Sequence, residues 1–288
     1  MTLPAAWRRP LALLALLWAA IAMLFMRDIA HMASIWWGSS TYHHILLIPL
    51  LLMWLVADRA RLVVTLRPSP WLPGALPLLG ALGVWAAGQA ADIALLRHLG
   101  TVLMLQAAVA IALGPLLVRA LAFPTAYALF LIPFGDEIVP FFQHLTAQLT
   151  MPLLALAGIP ASLDGLYITT PSGMFVVAEA CSGVMFLVAM AAFATLAANL
   201  CFRSWNRRII FVASALIATI IANALRAFGT IVIAEAYGHD YARGFDHLVY
   251  GWLFFAITIA AIMLAARRWF DRPANDPAVD LTRLTANG

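Results

Sequence analysis

The sequence predicts an all-α polytopic membrane protein. It is expected to have about eight transmembrane helices and a small insertion, an interfacial helix plus a hairpin, on the periplasmic face. Three observations carry that prediction. Of the 288 residues, 64% are hydrophobic and only 10% charged, and the mean hydropathy is +0.94, whereas soluble domains hold about 45–50% apolar residues. Apolar runs recur near the roughly 20 residues that cross a bilayer, where only helices and closed barrels satisfy every backbone polar group. Finally, all 17 basic residues are arginine, and they fall unevenly between successive runs. There is no lysine to act as a Schiff-base or general-base amine.

The first span is 11–26, following Trp7-Arg8-Arg9-Pro10. Its basic start and Ala20-Ile21-Ala22 resemble a secretory signal, but seven further apolar segments follow, so it reads as a retained span. Residues 27–44 read as a polar, aromatic loop containing W-W-G-S-S-T-Y-H-H, ahead of a second span, 45–56. A loop bearing Arg59, Arg61 and Arg67 leads to the third span, 72–90, which ends near Asp92 and Arg97. The fourth span, 93–113, stops at Gly114-Pro115 because that pair ends a helix. The fifth, 116–132, returns at once.

Residues 133–160 differ: Asp136, Glu137, Gln143, His144 and Gln148 interrupt the apolar stretches, and Pro140 and Pro152 divide them. This pattern predicts one or two helices lying in the interface. Residues 161–178 predict a hairpin, L-Y-I-T-T and M-F-V-V-A around P-S-G. Span six is 181–200, followed by the basic turn R-S-W-N-R-R at 203–208. Span seven is 209–234, then comes a polar loop at 235–247 and span eight at 248–266. Residues 1–272 thus read as one membrane-embedded domain, and the aperiodic tail 273–288 as disordered.

Eight spans put both termini on one side. That side receives Arg8, Arg9, Arg59, Arg61, Arg67, Arg119, Arg203, Arg207, Arg208, Arg267, Arg268, Arg272 and Arg283. The other receives Arg27, Arg97 and Arg243, and Arg226 lies inside span seven. The positive-inside rule places the arginine-rich side, with both termini, in the cytoplasm of a bacterial inner membrane. The formal charge of +4 is then a record of topology, not a nucleic-acid-binding surface.

The chemistry concentrates in V-A-E-A-C-S-G-V-M, residues 177–185. Cys181 is expected at the first turn of span six, where free N–H groups and the helix macrodipole favour a nucleophilic thiolate. Gly183 would let a substrate backbone approach closely, and Glu179 and Ser182 complete the polar island. The plainer alternative is a small apolar cysteine filling a gap. Cys201 lies at the far end of the same span, roughly 30 Å away, too far for a disulfide.

Arg226, in A-N-A-L-R-A-F, is roughly 10–12 Å inside the outer end of span seven. An intramembrane arginine is costly and faces a cavity or a partner. Asn223 shares its helix face, and structural pairing with Glu179 or Glu235 is the alternative. His247, in F-D-H-L-V-Y-G, begins span eight as a candidate base, with an interfacial capping histidine as the alternative. Together these residues supply thioester chemistry: Cys181 as nucleophile, His247 as proton acceptor and donor, and Arg226 with Asn223 for an oxyanion or carboxylate. His43, His44, His98, His144, His239 and His247 share no metal-ligand spacing, so no metal or cofactor is expected.

A-E-A-C-S-G, N-A-L-R and the histidine before the last span resemble the exosortase/archaeosortase family of membrane transpeptidases, over about residues 36–252. The stretch 37–49, W-G-S-S-T-Y-H-H-I-L-L-I-P, is similar to the family's pattern, although His44 is followed by Ile45 where the family usually has His-Gly. The resemblance implies a thiol protease or transpeptidase. Its substrates would be exported proteins with a C-terminal Pro-Glu-Pro-type motif, an apolar helix and a basic end. It also implies a possible cell-surface acceptor and a link to exopolysaccharide, with Cys181, Arg226 and His247 as the catalytic residues. Some relatives carry a further soluble C-terminal domain, which this sequence does not show. Two other function classes compete: a transporter or flippase in which Arg226 binds an anion, and a scaffold for surface-polysaccharide export. No inverted repeat or pair of matching broken helices favours a transporter.

Overall fold

The computed structural model describes residues 4–238 and 247–272, with the backbone alone for Arg61 and residues 247–250. The expected 273–288 tail, the 239–246 part of the polar loop and Arg243 lie outside the described residues. The chain divides between Pro133 and Phe134 into two compact units.

The first unit holds eight helices among its described residues: α1 (Arg8–Leu24), α2 (Met26–Gly38), α3 (Ile48–Asp58), α4 (Ala60–Val63), α5 (Ala75–Ala90), α6 (Ala94–Leu113), α7 (Pro115–Ala120) and α8 (Ala122–Tyr127). Helix α6 is the centre, packed against α1 and α5. Leu14, Ile21, Met104, Ala108 and Leu117 bury their side chains there. The approach of α5 to α6 depends on small residues, as is usual where lipid supplies no hydrophobic drive. A Cβ at Gly100 would lie 2.6 Å from the Trp85 Cβ.

Three expectations are corrected in this unit. Residues 27–44, expected as a loop, are largely helical as α2, because their polar groups are paired. Asp28 accepts from Trp85 Nε1 at 2.8 Å and from Arg97 Nε at 3.2 Å. His31 Nδ1 lies 3.1 Å from His98 Nε2. The second span, 45–56, is a 3₁₀ turn (His43–Leu47) leading into α3, bent by 111° from α2. The fifth span, 116–132, is not one helix but α7, α8 and the 3₁₀ turn Ala128–Leu131. Pro124 has no N–H for the Ala120 carbonyl and its ring crowds that oxygen, so the helix breaks at Leu121. Arg59 takes up the released carbonyl, donating from Nη1 to Ala120 O at 3.1 Å.

The second unit contains α9 (Val139–Leu156), three strands, β1 (Ser162–Asp164), β2 (Tyr167–Thr170) and β3 (Gly173–Val176), then α10 (Val184–Cys201), α11 (Trp205–Tyr237) and α12 (His247–Ala266). Helix α9 runs through Pro152 as one helix, with Pro140 in its first turn, where a missing N–H costs nothing. The sheet is an antiparallel meander in the order β1-β2-β3, with Ser162 opposite Thr169 and Tyr167 opposite Val176. The expected hairpin is β2–β3. The added strand β1 turns at Asp164-Gly165, a dipeptide suited to a tight turn, with Gly165 at φ 59°. Ile168 and Val177 seal the sheet against Ala147 and Leu154 of α9 and Ile231 of α11. Helix α10 packs on α11 through Met190, Ala194 and Ala215.

Among the described residues, five helices have the length and hydropathy to cross a membrane, or up to seven if two bent helix pairs count as one span each. Helix α5, the third expected span, has 16 residues, about 24 Å at 1.5 Å per residue against a hydrocarbon core of about 30 Å. The all-α polytopic class holds. The number eight is reached only when both bent pairs and α5 are counted.

Candidate functional site

The polar island lies where β3 hands the chain to α10. After Val177 the backbone is extended at Ala178, closes a 3₁₀ turn over Glu179–Cys181, and enters α10 through Gly183 at φ 82°. The Cys181 N–H donates to Ala178 O at 2.8 Å and the Ser182 N–H to Glu179 O at 3.0 Å. This corrects one expectation: Cys181 precedes α10 by three residues instead of opening its first turn. The left-handed Gly183 is the cause, because it ends the 3₁₀ turn before the α-helix begins. Ser182 is buried, and its Oγ accepts from the Val184 N–H at 3.3 Å, capping α10.

Helix α11 grips this turn from below. Asn223, 5% exposed, donates from Nδ2 to Cys181 O and to Thr146 Oγ1, each at 3.0 Å. Arg226, 4% exposed, donates from Nη2 to Asn223 Oδ1 at 3.2 Å and to Ala180 O at 3.4 Å. The guanidinium carbon lies 5.6 Å from the Phe186 ring centre, a cation–π contact. The two residues expected to share a face of span seven therefore act on adjacent carbonyls of the Cys181 turn. Gly183 is obligatory for a second reason: a Cβ there would stand 2.5 Å from the Asn223 Cγ.

Helix α9 supplies residues that sequence reasoning missed. Thr146 donates from Oγ1 to Ser182 O at 3.3 Å, and Gln143 donates from Nε2 to Val177 O at 2.8 Å. Gln143, Thr146 and Thr150 are all buried. Their spacing of three and four residues puts them on one buried face of the helix, and helical periodicity could have revealed it.

Cys181 is half-buried, at the margin of the cluster that contains Val177 and Ile231. Both cysteines are free thiols. Glu179 is exposed on the outer side of the turn. Glu235, offered by the sequence as a partner for Arg226, accepts from the Ser172 N–H at 3.1 Å, at the β2–β3 turn. Two voids of about 10 Å³ flank Asn223, near the least space that holds one water. His247 begins α12, four residues before Gly251, whose Cα faces Phe186 and Arg226. The His247 side chain lies outside the described residues. Among the described residues no three His, Cys, Asp or Glu side chains converge as metal ligands.

A family model described as transmembrane exosortase (Exosortase_EpsH) matches residues 36–264, from α2 through most of α12. The chain belongs to the transmembrane exosortase family. No curated protein and no solved structure matches it. For this exosortase the match supports a membrane protein of protein sorting, whose substrates carry a sorting signal. It spans both structural units, including the residues that hold the Cys181 turn and the stretch 37–49.

Proposed function

We propose that this exosortase is a cysteine transpeptidase or protease that cleaves Pro-Glu-Pro-type C-terminal sorting signals of exported proteins at the outer face of the inner membrane. One observation supports this reading above the rest. The free thiol of Cys181 sits in a turn whose successive carbonyls, Ala180 and Cys181, are held by Arg226 and Asn223. A structural cysteine needs no such positioning.

In the proposed reaction the Cys181 thiol gives its proton to His247, and the sulfur attacks the scissile carbonyl carbon. The carbonyl π-electrons move to oxygen, and Arg226 stabilises the resulting oxyanion. Collapse of the intermediate breaks the C–N bond, and the leaving amine takes the proton from His247. The acyl group remains on sulfur as a thioester until a second nucleophile, water or a surface amine, releases it. Glu179, Ser182, Gly183 and Asn223 support the turn. The arginine distribution supports a topology with both termini in the cytoplasm.

The deciding experiment is co-expression of a protein carrying such a signal with wild type, with Cys181→Ala and with Cys201→Ser. Processing should vanish in the first variant and persist in the second. Processing by Cys181→Ala would overturn the enzyme reading. An impermeant thiol reagent added to spheroplasts should label Cys181 and spare Cys201, and the reverse would invert the orientation.

A further inference from the structure

The far end of the second unit carries a concentration of charge that the site does not use. Arg203, Arg207 and Arg208 stand around the start of α11 and Arg267, Arg268 and Arg272 follow α12, and Arg207, Arg208 and Arg272 come together beside the carboxylate of Asp271. Asp271 accepts from Arg207 Nη1 at 3.3 Å and from the Arg203 backbone N–H at 2.8 Å. Arg207 also donates to Trp269 O at 3.1 Å, Arg208 to Phe202 O at 2.9 Å, and Arg272 to Asn199 O. The Arg208 and Arg268 guanidiniums lie over Trp205 and Trp269, 5.1 and 4.0 Å from their ring centres. Carbonyls and rings fix the Arg208, Arg268 and Arg272 guanidiniums without neutralising them, and among the described residues Asp271 offsets part of the charge at Arg207.

Directly beside this cluster, α11 and α12 enclose a groove of about 440 Å³. Ile210, Phe211, Ala218 and Ile262 make its apolar length, and Arg207 and Trp269 stand at its basic end. The Arg207 side chain is half exposed there, at 49%. Ile209 and Ile210 are also exposed, so the face around the groove is the kind that contacts lipid.

We propose that this groove is a binding site for an anionic phospholipid of the adjoining leaflet, with an acyl chain along the apolar length and the phosphate at Arg207. Charge selects this occupant: basic pockets between membrane helices take up anionic headgroups, and guanidinium forks suit phosphate oxygens. Level selects it too, since the exposed indoles of Trp205 and Trp269 mark the interfacial belt. A peptide helix with a basic end would instead bring like charge against the arginines, which costs affinity. The proposal is independent of the chemistry at Cys181.

The test is native mass spectrometry of the full-length protein, titrated in detergent with phosphatidylglycerol or with phosphatidylcholine of the same acyl chains. Wild type should retain phosphatidylglycerol preferentially. Arg207→Gln should weaken that retention about fivefold, the value of one arginine near a membrane surface. Ser214→Trp, which fills the groove without touching charge, should abolish it, whereas Arg8→Gln/Arg9→Gln should leave it unchanged. Equal retention of the two lipids by wild type would overturn the proposal. So would unchanged retention by both groove variants, or an equal loss in the Arg8/Arg9 variant.

Discussion

Two arginines that stand largely out of solvent, the partly buried Arg97 in the first unit and the buried Arg226 in the second, are held in different ways. Arg97 in α6 is met by carboxylates: Asp28 at 3.2 Å, with 12% of its side chain exposed, and the exposed Asp92 at 3.0 Å. Asp28 in turn accepts from Trp85. Charge meets charge, and three elements separated in sequence are tied together. Arg226 in α11 is fixed by the Ala180 carbonyl and the Asn223 amide oxygen, which belong to or hold the Cys181 turn. The first arrangement is a tie within the scaffold. The second makes the position of the Cys181 turn depend on an arginine. The comparison therefore predicts that damage to the first appears as lost stability, and damage to the second as lost turnover.

The largest expected effect is at Arg226. Arg226→Lys keeps a positive charge but loses the planar fork that reaches Ala180 O and Asn223 Oδ1 together. Turnover per folded enzyme should fall at least a hundred-fold, the scale of one lost oxyanion donor at about 3–4 kcal/mol. The melting temperature in detergent should move little. A variant with near-wild-type turnover would place Arg226 in the same class as Arg97 and end the distinction.

Asp28→Asn comes next and should behave oppositely. It removes the carboxylate from a largely buried pair and faces Arg97 with an amide. A fully buried pair broken this way costs about 3–5 kcal/mol. Because Arg97 keeps Asp92 and is 17% exposed, about 2–3 kcal/mol is expected, in line with hydrogen bonds to charged groups. Thermal unfolding should show the loss, with turnover per folded molecule unchanged. Lost turnover at full stability would mean that the first unit takes part in the chemistry.

Gly183→Ala tests whether the turn tolerates any displacement. The new methyl would meet Asn223 in a backbone conformation that L-residues avoid. Overpacking of this kind costs about 1–3 kcal/mol, so stability should drop by about 2 kcal/mol and processing should be lost with it. Wild-type processing would show that the Asn223 contact is incidental.

What the sequence revealed depended on whether a residue's partner was local. Helices α6, α10 and α11 follow from apolar length and from local stops such as Gly114-Pro115. Asn223 and Arg226 were recognisable as a pair because one helical turn joins them. Residues 27–38 looked like a loop because Arg27, Asp28 and His31 are polar, and the partners that make them helical lie 57 to 69 residues away. The break in the fifth span was encoded in Pro124, but the apolar run around it was the louder signal. Cys181 was found, yet its 3₁₀ turn was not, since the left-handed Gly183 is set by the close approach of Asn223 from α11.

The smallest effect, and the finest test of the comparison, concerns Thr146. Its hydroxyl accepts from Asn223 Nδ2 and donates to Ser182 O, so it joins α9 to both the grip and the gripped turn. Thr146→Val preserves shape and removes only the hydroxyl. Asn223 keeps its bond to Cys181 O, and the lost hydrogen bonds cost about 1 kcal/mol in stability. If Thr146 positions the turn, kcat should fall several-fold with KM little changed, and Thr146→Ser should recover most of the loss. Thr219 provides the control. It is equally buried beside Asn223 in α11, but its hydroxyl donates to Ala215 O of its own helix at 2.9 Å. Thr219→Val should therefore leave kcat unchanged. Equal losses in the two variants would show that the turn responds to any polar deletion in this core, and the hydroxyl of α9 would then have no particular part in holding Cys181.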